Sequence, residues 1–153
     1  MSVKRHAAPA ELQEKMIGAL LRVPFQETVR RIDADLDAAG FADLRPAHFA
    51  VFQHMDPGGT RLTDLAERAQ ITKQSMGYLV DYLSRAGYVE RTADTRDGRA
   101  ILVRLTARGD DVTRAARASL GRLESEWEAI LGAERYSELR RTLTVLGEAV
   151  ERK

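Results

Sequence analysis

Apolar residues recur with a helical period along most of this chain. Leu12, Met16, Leu20 and Val23 stand three or four apart, and Val29, Ile32 and Leu36 resume the stripe beyond Pro24. Proline lacks an amide donor, so the pattern predicts helix in two pieces, kinked or divided at Pro24 and stopped by Ala38-Ala39-Gly40. A short helix follows, with Pro46 as its first residue and Phe49, Phe52 and Met55 on one side, closed by the turn Asp56-Pro57-Gly58-Gly59. Thr63 is a good N-cap for a helix over Asp64 to Ala69, and Gln70-Ile71 makes a tight turn. Thr72 then caps a helix running to about Ala86, with Gly87 as its left-handed stop. Within it Met76, Leu79, Val80 and Leu83 form the buried stripe, which leaves Lys73, Gln74, Tyr78, Asp81, Tyr82 and Arg85 outward.

The period then changes. Tyr88 to Thr92 and Ile101 to Leu105 are β-prone, and a polar loop from Ala93 to Ala100, too long for a tight turn, joins them. Two helices close the chain. Thr106 caps the first, whose stripe is Val112, Ala116, Leu120, Leu123, Trp127 and Ile130, and Gly132 breaks it. The last carries Tyr136, Leu139, Leu143, Leu146 and Val150. The expected class is mainly α: a winged helix-turn-helix with a small two- to three-stranded β wing, flanked by N- and C-terminal helices. One compact domain is expected, organised as an N-terminal helical region 1–40, a winged lobe 41–106 and C-terminal helices 107–153.

Composition narrows the function. The 153 residues contain no cysteine, which closes disulfide, thiolate-zinc and thiol-redox chemistry. No apolar run approaches the ~20 residues of a membrane span and no signal-peptide pattern opens the chain, so a cytoplasmic protein without a membrane partner is expected. The 24 Lys and Arg against 23 Asp and Glu give a net charge of +1, which taken alone speaks against a nucleic-acid partner. The distribution reverses that inference. Residues 45–109 hold ten cations and seven acids, while the two ends together are slightly acidic.

The order helix, turn, helix, strand, charged loop, strand suits duplex DNA. A helix fits the major groove and offers its first turn to base edges. Here that turn presents Thr72, Lys73, Gln74 and Ser75, with Tyr78 one turn on. Backbone amides at the helix starts near Thr63 and Thr72 can meet phosphates. In the loop Asp94-Thr95-Arg96-Asp97-Gly98-Arg99, an acid can pair with one arginine and stiffen it, freeing the other for the minor groove. The same fold can instead dock a protein through its exposed helix, but Lys73, Gln74, Arg96 and Arg99 favour DNA. No nucleophile constellation, metal cluster or phosphate loop is legible, so an enzyme, a cofactor and a metal are not expected.

Asp64-Leu65-Ala66, Thr72-Lys73-Gln74-Ser75, Gly87-Tyr88-Val89-Glu90-Arg91, the loop Asp94 to Arg99, and Leu105-Thr106-Ala107-Arg108-Gly109 together resemble the multiple antibiotic resistance regulator (MarR) family. The resemblance spans nearly the whole chain. It implies a homodimeric transcription factor, usually a repressor, on a palindromic operator of double-stranded DNA, often released by a small phenolic or lipophilic effector. By position it implies a recognition helix over Thr72 to Ala86 and a wing over Ala93 to Ala100. Arg96 is then the minor-groove residue, with Asp94 as its organiser. Arg45 departs from the family, which commonly has a Ser or Thr cap there.

A palindrome reader is a twofold dimer, which gives the stripes of the first, fifth and sixth helices a purpose as its interface. The family's effector pocket lies between dimer helices and winged lobe, making Phe25, His48 and Trp127 its candidate lining. Of the three histidines, His48 and His54 are six apart and fall on different helix faces, unlike a metal pair, and His6 stands far from both.

Overall fold

Helix α1 (Ile17–Ala38) opens the part of the chain, residues 16–151, that the computed structural model describes. Leu12 and His6 lie outside the described residues. The helix runs through Pro24 as one element of 22 residues, so the expectation of two pieces is corrected. The carbonyl that the missing amide would have bonded belongs to Leu20 on an exposed stretch, where water can satisfy it. The Thr28 hydroxyl donates to the Pro24 carbonyl one turn on at 3.0 Å. Gly40 (φ 94°) ends α1 in left-handed geometry, with the Phe41 amide donating to the Leu36 carbonyl at 2.9 Å.

A 3-10 turn (Pro46–His48) leads into α2 (Phe49–Gln53). The departure at Arg45 leaves the entry without a hydroxyl cap. The ring of His48 makes the reciprocal bond instead, its Nδ1 accepting the Arg45 amide at 3.0 Å, and the His48 amide donates to the Arg45 carbonyl at 2.8 Å. Phe49 is buried and Phe52 and Met55 pack against the same core, as their spacing predicts.

Residues Thr60–Arg61 then form β1, which the sequence pattern does not announce. Because Arg61 is already extended as the N-cap (φ −63°, ψ 143°), α3 (Leu62–Arg68) starts earlier than expected. Thr63 is therefore in the first turn and not the cap; its hydroxyl faces the Asp64 carboxylate at 3.4 Å. The turn to the next helix places Gln70 at φ 54°. Helix α4 (Lys73–Arg85) is capped as predicted, the Thr72 hydroxyl accepting the Ser75 amide at 3.1 Å. Gly87 (φ 81°) closes it.

Strands β2 (Val89–Ala93) and β3 (Ile101–Leu105) pair antiparallel with Val89 opposite Leu105, and β1 joins the other edge of β3 with Thr60 opposite Val103. The sheet order is β1-β3-β2. Met76, Val80 and Leu83 of α4 meet Val51, Leu65, Tyr88 and Val103 in the core of the winged lobe, with Ile32 and Leu36 of α1 and Val112 of α5 extending it. Burying such side chains stabilises by roughly 1.5–3 kcal/mol each.

Helix α5 (Ala107–Leu131) starts on Thr106, whose hydroxyl accepts the Gly109 amide at 3.2 Å and donates to the Gly87 carbonyl at 2.6 Å. It packs along α1. Asp35 accepts from Ser119 Oγ at 2.5 Å and Arg122 Nη2 at 2.8 Å, and Arg31 makes a two-pronged pair with Glu126. Those donors, Ser119 foremost and then Arg122, hold the Asp35 carboxyl below its usual range. Gly132 breaks the chain into α6 (Ala133–Glu151) as expected. Helix α6 buries none of its residues within this chain; Leu139, Leu143, Val145, Leu146 and Val150 are all exposed, as are Met16, Ile17, Leu20, Val23 and Phe25 at the start of α1. These apolar faces do not pack on one another inside a single copy. Among the described residues, no helix is long and apolar enough to cross a membrane.

Candidate nucleic-acid interface

The N-terminal turn of α4 and one side of the next stand clear of the core. Thr72, Lys73, Gln74 and Ser75 are exposed and Tyr78 is 65% exposed. Their polar groups are already arranged: Thr72 Oγ1 donates to Ser75 Oγ at 2.9 Å, and Gln74 Nε2 donates to the Tyr78 hydroxyl at 3.1 Å. The Lys73 ammonium forms no hydrogen bond or ion pair among the described residues. The exposed helix start thus displays four of the expected residues, and the helical period adds Tyr78 one turn beyond Gln74.

Tyr82 does not share that face. It is half-buried, its hydroxyl donating to the Asp43 carbonyl at 2.7 Å and its ring stacked on His48 with centroids 4.5 Å apart. The expectation that Tyr82 points outward is corrected, because the loop after α1 closes over that side of α4. Asp81 is also engaged, pairing with Arg91 of β2 at 2.6 Å.

In the wing, Asp94 is buried at the loop base while Thr95 to Arg99 are exposed. Its Oδ1 accepts the Arg96 backbone amide at 2.8 Å and its Oδ2 accepts Arg61 Nε at 2.7 Å. The Arg96 amide, then the Arg61 guanidinium, hold this carboxyl below the usual aspartate range. Asp97 repeats the device at the tip, accepting the Arg99 amide at 3.1 Å. The sequence suggests that an acid neutralises one of the two loop arginines. Instead the acids bond loop amides, and Asp94 takes its cation from β1. Both guanidinium groups, Arg96 and Arg99, remain without a hydrogen-bond or ion-pair partner among the described residues. A stiffened loop thereby displays two cations outside any ion pair.

Two further positions support this surface. Arg61 is counted among the central cations by the sequence but not recognised as the wing's anchor, since nothing in residues 60–61 announces a strand. Asp43 accepts the Tyr88 hydroxyl at 2.6 Å while Arg108 Nη2 donates to that hydroxyl at 2.9 Å, so one carboxylate ties the loop after α1 to β2 and α5. Burial, and the hydroxyl's hydrogen bond to Asp43, push the Tyr88 phenol pKa up. Only contacts between distant segments reveal these roles.

The three residues expected at an effector pocket fall on three different elements. Phe25 is exposed on α1, Trp127 is half-buried on α5, and His48 is buried against Tyr82. No ring contact joins them. A recess of about 490 Å³ lies beside the end of α1, lined by Asp33, Leu36, Asp37, Phe41, Leu44 and Arg45 among others, and it includes none of the three. Among the described residues, no group of three or more His, Asp or Glu is placed to hold a metal ion.

The helix pair, its exposed first turn and the strand-bounded cationic loop define a winged helix-turn-helix. Residues 42–100 match the model of the MarR family. Over 89 residues the chain is 34% identical to the HTH-type transcriptional repressors Rv2887 of Mycobacterium tuberculosis and Mb2911 of Mycobacterium bovis. That match covers 58% of this chain and 64% of each relative, so the chain spans just under two thirds of their length. The fold is shared with the reduced form of MarR from Escherichia coli, at TM-score 0.73 and 22% identity over 86% of this chain and 96% of that one. It is also shared with Staphylococcus aureus MepR in a DNA complex, at TM-score 0.70 and 20% identity over 89% and 99%.

Proposed function

We propose that the chain is a sequence-specific DNA-binding transcriptional regulator, acting as a repressor and as a homodimer on a palindromic operator in the cytoplasm. The observation that carries this reading is the wing, in which acids fix the loop backbone while Arg96 and Arg99 stay unpaired. A narrow groove of negative potential is the partner such a loop suits. Thr72, Lys73, Gln74, Ser75 and Tyr78 then meet the major groove, and Thr63, exposed in the first turn of α3, faces a phosphate. The names of the mycobacterial relatives and the DNA complex formed by MepR favour the same reading.

The exposed apolar faces of α1, α5 and α6 support the homodimer. A palindrome needs a self-complementary interface outside the reading lobe, and α6 buries nothing within one copy. The division into terminal dimer helices (1–40 and 107–153) and a winged lobe (41–106) follows from this. A small phenolic or lipophilic effector would bind where dimer helices meet the lobe, with Phe25, His48 and Trp127 near it. It shifts DNA binding only by favouring one dimer arrangement over another.

The test is recovery of bound duplexes from a random or genomic pool, followed by titration at several salt concentrations. Enrichment of an inverted repeat, with affinity falling steeply as salt rises, is the expected result. Recovery of no sequence above background refutes the proposal.

A further inference from the structure

We infer that the flank of α4 formed by Lys73 and Gly77 seats one sugar–phosphate strand of the DNA, leaving the neighbouring Gln74–Tyr78 face to the base edges. The inference rests on the DNA-binding reading above and divides the labour within it. Gly77 lies inside a 13-residue helix, where glycine is the poorest choice after proline. Nothing among the described residues asks for it. No heavy atom lies within 4 Å of where its Cβ would stand, and its φ is not left-handed. Gly109 is different, since a Cβ there would meet the Tyr88 carbonyl at 2.2 Å.

The backbone at Gly77 is nonetheless held in place. Arg91 Nη2 donates to the Gly77 carbonyl at 3.3 Å while Arg91 Nη1 pairs with Asp81 one turn on at 2.6 Å. That clamp fixes a bare strip of helix backbone. At about 100° per residue, Gly77 stands only about 40° around the helix from Lys73, whereas Gln74 and Tyr78 stand at about 100° and 140°. Lys73, whose ammonium has no partner among the described residues, therefore stands on the same flank as the bare strip, one turn before it. A compact cation next to backbone that permits close approach suits a phosphate wall; an amide and a phenol suit base edges. Lys73 thus positions the helix and Gln74 reads sequence.

The experiment uses the full chain and a duplex recovered by selection, comparing Gly77→Ala, Lys73→Gln and Gln74→Ala. Gly77→Ala should resist urea at least as well as the wild type, yet bind both the selected and an unrelated duplex at least about tenfold more weakly, the scale of one lost contact. Lys73→Gln should lower the slope of log affinity against log salt by about 1 with base preference unchanged. Gln74→Ala should change base preference and keep the slope. Wild-type affinity in Gly77→Ala, or altered base preference in Lys73→Gln, overturns this inference while leaving the DNA reading intact. Failure of the wild type to retain any duplex refutes the DNA reading, and this inference falls with it.

Discussion

Gly109→Ala perturbs the joint between the winged lobe and α5, and the structure fixes both sign and scale. The new methyl carbon would stand 2.2 Å from the Tyr88 carbonyl oxygen and 3.1 Å from Leu105 Cδ2. The first neighbour is backbone, already accepting the Thr106 amide at 3.1 Å, so it cannot swing aside. Relief requires the start of α5 to lift from β2 by about an ångström, which strains that hydrogen bond and the Arg108–Tyr88 contact. Overpacking of this kind costs about 1–3 kcal/mol and a weakened hydrogen bond about 0.5–1.5 kcal/mol. Against these stands a gain of about 1 kcal/mol in helix propensity. The net expectation is destabilisation of about 0.5–3.5 kcal/mol, read by urea unfolding at fixed protein concentration. Gly77→Ala is the internal control, since it gains the propensity and meets nothing. If Gly109→Ala is as stable as Gly77→Ala, the close packing of α5 on Tyr88 is wrong.

Three other outcomes follow from the same contacts. Asp94→Ala should leave the fold intact but loosen the wing, lowering DNA affinity, and Arg61→Ala should weaken binding in the same direction; wild-type titration curves for both would remove the Asp94 anchor from the mechanism. His48 is buried, accepts the Arg45 amide and has its pKa pushed below 6.5 by burial and then by the Arg45 charge, with Asp43 opposing. The folded chain thus takes up that proton less readily than the unfolded one, so stability is complete above about pH 6.5 and declines as pH falls below it towards the folded pKa. A urea series between about pH 7 and pH 5 should show this slope in the wild type and lose it in His48→Asn. Leu143→Glu together with Leu146→Glu places charge on the bare face of α6 and should shift sedimentation from dimer to monomer; an unchanged dimer would exclude that face from the interface.

Most of the fold is legible because helices announce themselves locally. Thr72, Gly87, Thr106 and Gly132 mark helix ends by their own chemistry, and each acts where the sequence puts it. The misreadings share a cause. Thr63 looks like a cap only until Thr60 and Arg61 pair with β3, which lies forty residues on in the chain. Pro24 looks like a break, yet its unpaired carbonyl partner faces outward. Tyr82 sits on the polar side of the helical wheel, but a loop from before α2 covers it. The same limit applies to the site. The exposure of Gln74 and Tyr78 on α4 follows from period, whereas the anchoring of the wing by Arg61 depends on a contact spanning 33 positions. Charge followed the same rule, since a total of +1 hides which cations are already neutralised inside the lobe.

In the proposed DNA-binding reading, the wing delivers an unpaired arginine to DNA while its neighbours hold the loop in shape. Arg96→Ala removes that cation without touching the Asp94 bond, which uses the Arg96 backbone amide. Titration of the selected duplex with wild type and Arg96→Ala at matched salt is the most direct measurement. Arg96→Ala should lose about 1–3 kcal/mol in binding and keep the wild-type urea midpoint. Equal affinity for the two proteins, with the fold intact, would contradict it.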